Sequence, residues 1–175
     1  MTLLGVNDGC AGLVGAALGG DRQAFGRLVE SHWAGLVRLA RSVVGDIEAE
    51  DAVQDALIVA WRKLPTLAEV AAFTPWLTRI VVRRCLRRVR FRRRLVPLEA
   101  APQGSHNPDA AGLLAARQVL GRLAPRQRAV LHLTVVEGMS DGEIGAALGI
   151  AASSVRAHRR RAREAVARIL NGGKP

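Results

Sequence analysis

The chain has 175 residues, 49% of them apolar, but only 3% aromatic and no Tyr, so its interior has to be built from Leu, Val, Ile and Ala, a mix that favours helices packed on helices. Its 26 basic against 15 acidic side chains leave a formal charge of +11, and nearly all the cations are Arg, whose planar fork suits phosphates and guanine edges; a polyanion is the partner this implies. The charge is segregated: residues 76–95 hold nine Arg and no acid, and residues 151–175 hold seven basic side chains and one acid, which argues for local basic surfaces.

The N-terminal apolar run is broken by Asn7, Asp8 and several Gly, so neither a signal peptide nor a membrane span is expected. Asp21 is a candidate N-cap for a helix running to about Val44, with Phe25, Leu28, Val29, Trp33, Leu36, Val37, Ala40 and Val44 at helical spacing and Gly45 at its end. A second helix is expected from about Ala49 to Leu64, stopped by Pro65, and PTLAEVAAF then reads as a loop or short turn. Thr74-Pro75 fits an N-cap followed by Pro at the first helical position, opening a helix that continues to about Arg94. Residues 95–108, with three Pro, Gly, Ser, His and Asn, read as a linker. Beyond it, helices are expected over about 109–121, 125–137, 141–148 and 152–170, with a capping box at Ser140-x-x-Glu143. The fold class is all-α: two small helical domains on a flexible strap.

On the helix that ends near Arg94, a rotation of about 100° per residue places Arg79, Arg83, Arg87, Arg90 and Arg94 in a sector about 80° wide. Val81, Val82, Cys85 and Val89 fall opposite. Like charges four apart repel by a few tenths of a kcal/mol, so an anion is the compensating partner to expect. A solvated face would interleave acids, and a membrane-lying helix would carry bulkier apolar anchors. Further on, a short helix, Gly149-Ile150-Ala151 and a longer basic helix form a helix-turn-helix pattern. Ile144, Leu148, Ile150, Val155, Ala162 and Val166 supply the seam between the two helices. Ser153, Ser154, Arg156, Ala157 and Arg160 are turned outward, where a recognition helix meets bases and phosphates.

Taken together, GDRQAFGRLVESHWAGLVRLARSVVGD, AEDAVQDALIVAWRKL, FTPWLTRIVVRRCLRRVRFRRR and LAPRQRAVLHLTVVEGMSDGEIGAALGIAASSVRAHRRRAR, in this order, resemble the extracytoplasmic-function (ECF) group of bacterial RNA polymerase sigma factors. The resemblance implies sigma region two over 1–95, a linker over 96–108 and sigma region four over 109–175. It implies that Asp51, Gln54 and Asp55, at i, i+3 and i+4 on one helix face, with Trp61 after them, dock on the clamp helices of core RNA polymerase. The loop around Thr66–Phe73 would capture a flipped base of the minus-ten element, with Arg79, Arg83, Arg87 and Arg90 beside the upstream fork. Ser153, Ser154, Arg156, Ala157, Arg159 and Arg160 would read the minus-thirty-five element. Leu57, Arg83, Arg87, Ala151 and Arg159 depart from the family pattern, Ala151 by removing an N-cap hydroxyl worth about 1 kcal/mol.

The function implied is that of an alternative sigma factor in the cytoplasm. It would bring polymerase to promoter DNA, both duplex and melted non-template strand, under the control of an anti-sigma partner, with no membrane role. The rival is a stand-alone helix-turn-helix regulator, which leaves Asp51, Gln54, Asp55 and the arginine stripe without a purpose. The two Cys are far apart, the four His stand apart from acids in sequence, His32 and His132 being expected at helix surfaces or boundaries, and neither a phosphate loop nor a nucleophile elbow occurs; no cofactor, metal or catalytic role is expected.

Overall fold

The computed structural model describes residues 8–95 and 119–170. The helices are α1 (Asp8–Leu18), α2 (Arg22–Val44), α3 (Asp46–Lys63), α4 (Phe73–Leu95), α5 (Pro125–Val135), α6 (Asp141–Leu148) and α7 (Ala152–Leu170), with 3₁₀ turns at Leu64–Thr66 and Val70–Ala72 between α3 and α4. Among the described residues there is no strand, and no helix is long and apolar enough to cross a membrane. The expected linker and the expected helix from 109 lie mostly outside the described residues, which resume with helical residues 119–121.

The first domain is α1 to α4. The Asp21 carboxylate accepts from the Gln23 and Ala24 amides at 2.8 and 3.1 Å, satisfying two of the amides a helix start leaves open. Gly45, at φ 94°, turns the chain directly from α2 into α3, so α3 starts at Asp46 rather than near Ala49. Ala49, Ala52, Val53, Ala56 and Ala60 face inward from α3, and Val81, Val82, Cys85 and Val89 from α4, all buried. Small side chains on α3 let α2 and α4 approach closely, which offsets the shortage of aromatics.

One helix had no sequence expectation, and two expectations are corrected. Residues 8–18, with three Gly in eleven positions, carry no strong helical signal in sequence, yet form α1 and bury Val14 and Ala17 against α2. Helix α4 begins at Phe73, so Thr74 is inside its first turn and not its N-cap. His32, expected at a surface or boundary, is buried: Nδ1 donates to the Leu28 carbonyl at 2.7 Å, and Nε2 accepts from the Thr74 hydroxyl at 3.1 Å. The buried Thr74 hydroxyl and the His32 ring satisfy each other, which is why both tolerate the interior.

The second domain is α5 to α7. Its core comprises Ala129, Val130, Leu133, Met139, Ile144, Ala147, Leu148, Val155 and Ala162. Helix α5 packs on α2 and α6 packs on α4, so the apolar cluster runs without a break from one domain into the other.

Candidate polymerase and nucleic-acid interfaces

The outer face of α3 carries Asp51, Gln54 and Asp55, all exposed. Arg88 of α4 lies behind them, its guanidinium 3.8 Å from Asp51, 3.5 Å from Asp55 and 2.9 Å from Glu48; Arg92 also pairs with Glu48. The carboxylates are therefore steadied from one side and open to cations on the other. Trp61 is part-buried, its ring 5.1 Å from that of Phe25, and with Arg22 the pair lines a shallow surface hollow. Ile47 and Ile58 were not singled out from sequence. They are 86% and 54% exposed and share the Asp51–Gln54 face at helical spacing, making a mixed apolar and acidic stripe. Apolar residues at i and i+11 around a polar i+4 and i+7 were the available signal.

On α4, Arg79, Arg83, Arg87, Arg90 and Arg94 are all exposed. Arg79, Arg87 and Arg90 project from the helix as expected. Arg83 instead reaches the second domain, Nε donating to the Ala147 carbonyl at 2.9 Å and Nη2 to that of Ala146 at 3.2 Å. Cys85, on the opposite side, is fully buried; burial pushes its thiol up to about 12, against a smaller opposing pull from Arg88. The loop before α4 is anchored by buried Leu64, Leu67 and Phe73, and it leaves Thr66, Ala68, Glu69 and Ala71 exposed.

The helix-turn-helix is built from α6 and α7. Ser140 caps α6 reciprocally with Glu143: the Glu143 amide donates to the Ser140 hydroxyl, and the Ser140 amide donates to the Glu143 carboxylate at 2.8 Å. The hydroxyl and amide of Ser140 hold the Glu143 carboxyl below its ordinary range. Gly149 ends the helix in the left-handed region at φ 70°, where glycine costs least. Gly145 is needed for space, since a Cβ there would stand 2.7 Å from the Ile150 carbonyl. Ala151 precedes α7 and accepts the Ser154 and Val155 amides on its carbonyl, but it has no side-chain oxygen to cap with.

Along α7, Ser153, Arg156 and Arg160 are exposed, and Ser154 and Ala157 part-buried. Arg159, grouped with the DNA readers, makes a forked pair with Asp141 at 2.7 and 3.2 Å and so pins α7 to the start of α6. His158 is held below its usual range, first by burial and then by Arg126 and Arg161. Among the described residues no group of three His, Cys, Asp or Glu is placed to hold a metal ion.

A two-domain helical chain with a helix-turn-helix in one domain and an arginine-faced helix beside an open carboxylate stripe in the other is, by class, a transcription factor with two DNA-directed surfaces. Comparison with known proteins narrows the class. Sigma-70 region 2 matches residues 28–95 and Sigma-70 region 4 matches residues 113–166. The ECF RNA polymerase sigma factor SigM of Mycobacterium tuberculosis is 36% identical over 164 residues, covering 91% of this chain and 84% of SigM. The RNA polymerase sigma factor CnrH of Cupriavidus metallidurans is 33% identical over 177 residues, covering 91% of this chain and 93% of CnrH. The structure of CnrH in complex with the cytosolic domain of CnrY superposes with a TM-score of 0.70 at 32% identity, covering 95% of this chain and 100% of that one. The chain belongs to the ECF subfamily of sigma-70 RNA polymerase sigma factors. It is an alternative sigma factor that directs transcription initiation; a stand-alone helix-turn-helix regulator accounts for the second match alone and is not favoured.

Proposed function

We propose that the first domain, residues 1–95, grips core polymerase through Asp51, Gln54 and Asp55, with Trp61 backing the helix from the α2 side. The exposure of these groups beside Ile47 and Ile58 supports this reading. An apolar strip ringed by carboxylates suits a basic amphipathic helix on the partner. Arg79, Arg83, Arg87 and Arg90 then take phosphates at the upstream edge of the melted minus-ten element, while the loop at Thr66–Phe73 receives an unstacked base. Capturing that base offsets part of the stacking and pairing energy lost on opening.

The second domain, residues 109–175, reaches the minus-thirty-five duplex through Ser153, Ser154, Arg156, Ala157 and Arg160. Arg159 orients α7 while remaining within reach of phosphate, and residues 96–108 join the domains. The protein acts in the cytoplasm by binding and not by catalysis. An anti-sigma partner would regulate it: the neighbouring CnrH structure is a complex with the cytosolic domain of CnrY.

The observation that carries the reading is the open carboxylate face of α3 on the same domain as the arginine-faced α4. Reconstituted transcription tests it. Wild-type protein added to core polymerase is expected to initiate at a candidate promoter. The double substitution Asp51→Arg, Asp55→Arg is expected to abolish both pull-down of polymerase and initiation while the circular dichroism spectrum is kept. Undiminished polymerase pull-down by the folded variant would defeat the assignment.

A further inference from the structure

Of three Trp and three Phe in the chain, Phe73 is buried and Phe25, Trp33, Trp61 and Trp76 pack against the core. Phe91, in the last turns of α4, is 62% exposed. A single exposed apolar side chain is ordinary, but the surroundings of this one are not. Arg87 lies four positions before it and Arg94 three positions after it. At about 100° per residue, both fall within about 60° of the ring around the helix axis, and both are exposed. Toward α3, Arg88 and Arg92 are held by Glu48, so the acid that α3 brings to this end of α4 is already engaged. An aromatic face is thus left open between two solvent-facing guanidinium groups.

These neighbours select the partner. An apolar protein surface laid over Phe91 would strip water from Arg87 and Arg94 without supplying counter-charge, a cost that burial of one ring does not offset. A strand of nucleic acid meets both needs at once: phosphates pair with the guanidinium groups, and a base lays its face on the ring. Within a duplex the base faces are covered by their neighbours in the stack, so the base that meets Phe91 is an unpaired one.

We infer that Phe91 is a stacking platform for an unpaired base at the upstream edge of the melted minus-ten segment, with Arg87 and Arg94 holding the phosphates beside it. The inference rests on the proposed DNA role of α4 and adds a residue that engages the opened strand and not the duplex. A contact made in one state only shifts the equilibrium toward that state, so the platform favours the open promoter. Every base has a π-face, so the platform tolerates any base at that position.

The test uses the protein assembled with core polymerase and follows DNA binding by fluorescence anisotropy. Three probes are compared: a promoter fork, duplex upstream and single-stranded from the upstream edge of the minus-ten element; the same duplex without the single-stranded extension; and the fork with an abasic site at its first unpaired position. Phe91→Ala is expected to weaken binding to the intact fork roughly tenfold, within the range seen when a base-stacking ring is truncated. Binding to the duplex and to the abasic fork is expected to stay as in wild type, because loss of the ring and loss of the base remove the same contact. Phe91→Trp is expected to restore fork binding.

An equal loss on all three probes overturns the platform, and so does no loss on the intact fork. Loss of polymerase pull-down by the folded Phe91→Ala variant also overturns it and makes the ring an anchor for the enzyme. Lower stability in chemical denaturation with unchanged fork binding overturns it as well, since the ring is then covered by this chain itself. Arg87→Ala separates this inference from the reading beneath it. That variant is expected to weaken fork and duplex alike; if it weakens neither, the DNA role of α4 falls and the platform with it. If Arg87→Ala weakens both and Phe91→Ala changes nothing, the platform alone falls.

Discussion

Single side chains here do different work from that suggested by their charge. Arg159 sits among residues proposed to face DNA, but its fork closes on Asp141 in a part-buried pair. Forked Arg–carboxylate pairs exceed simple surface pairs in strength, so Arg159→Ala is expected to cost about 1 to 2 kcal/mol in chemical denaturation, and the α6–α7 angle should loosen with it. Cys85 is a second case. With burial pushing its thiol to about 12, no thiolate forms near neutrality. In the native protein a thiol reagent is expected to leave Cys85 untouched until denaturant is added, and rapid native labelling would contradict its placement.

His158 gives a pH signature. Its folded pKa lies below the ordinary 6.5, so the unfolded chain takes up the proton first as pH falls. Above 6.5 the two states bind equally and nothing is lost; below it stability declines until the folded value is passed. His158→Gln should flatten that part of the stability profile, measured by thermal melts between pH 7.5 and 5.

At the scale of elements, the turn between α6 and α7 is held tightly at Gly145 and Gly149. Gly145→Ala forces its new methyl toward the Ile150 carbonyl, 2.7 Å away by ideal geometry, and backbone cannot yield as a side chain can. A loss of about 1 to 3 kcal/mol is expected by urea unfolding. Ala151→Ser acts in the other direction: a hydroxyl at the start of α7 should recover about 1 kcal/mol by the same measurement.

These elements also mark what the sequence discloses. The Asp21 cap, the Ser140–Glu143 box, Gly45, Gly149 and the α4 division into valine and arginine faces all rest on local rules, and each appears in the structure where those rules put it. Helix α1 does not, because its glycines weaken the periodic signal and its stability comes from packing on α2. His32 and Thr74 were misread for a related reason: 42 positions separate them, and no local pattern predicts that two polar groups will satisfy each other in an interior. Nor could spacing disclose that Arg83 would turn toward the other domain, or that Arg159 would meet Asp141.

For the molecule as a whole, the dominant quantity is the surplus of positive charge. Each arginine that contacts phosphate releases condensed counterions, so affinity should fall steeply with salt. Arg87→Ala and Arg160→Ala lie in separate domains and are each expected to reduce the slope of log affinity against log salt by about one, measured by fluorescence anisotropy on promoter DNA with polymerase present. An unchanged slope would remove that residue from the phosphate-contacting set.

Arg88 carries a consequence at this scale too. One guanidinium on α4 sits within 4 Å of Glu48, Asp51 and Asp55, so on the proposed docking any polymerase cation that takes the two aspartates takes them from Arg88. The helix would then become effectively more positive as the enzyme is engaged. By thermodynamic reciprocity, a promoter bound at that helix would strengthen the hold on the enzyme by the same factor.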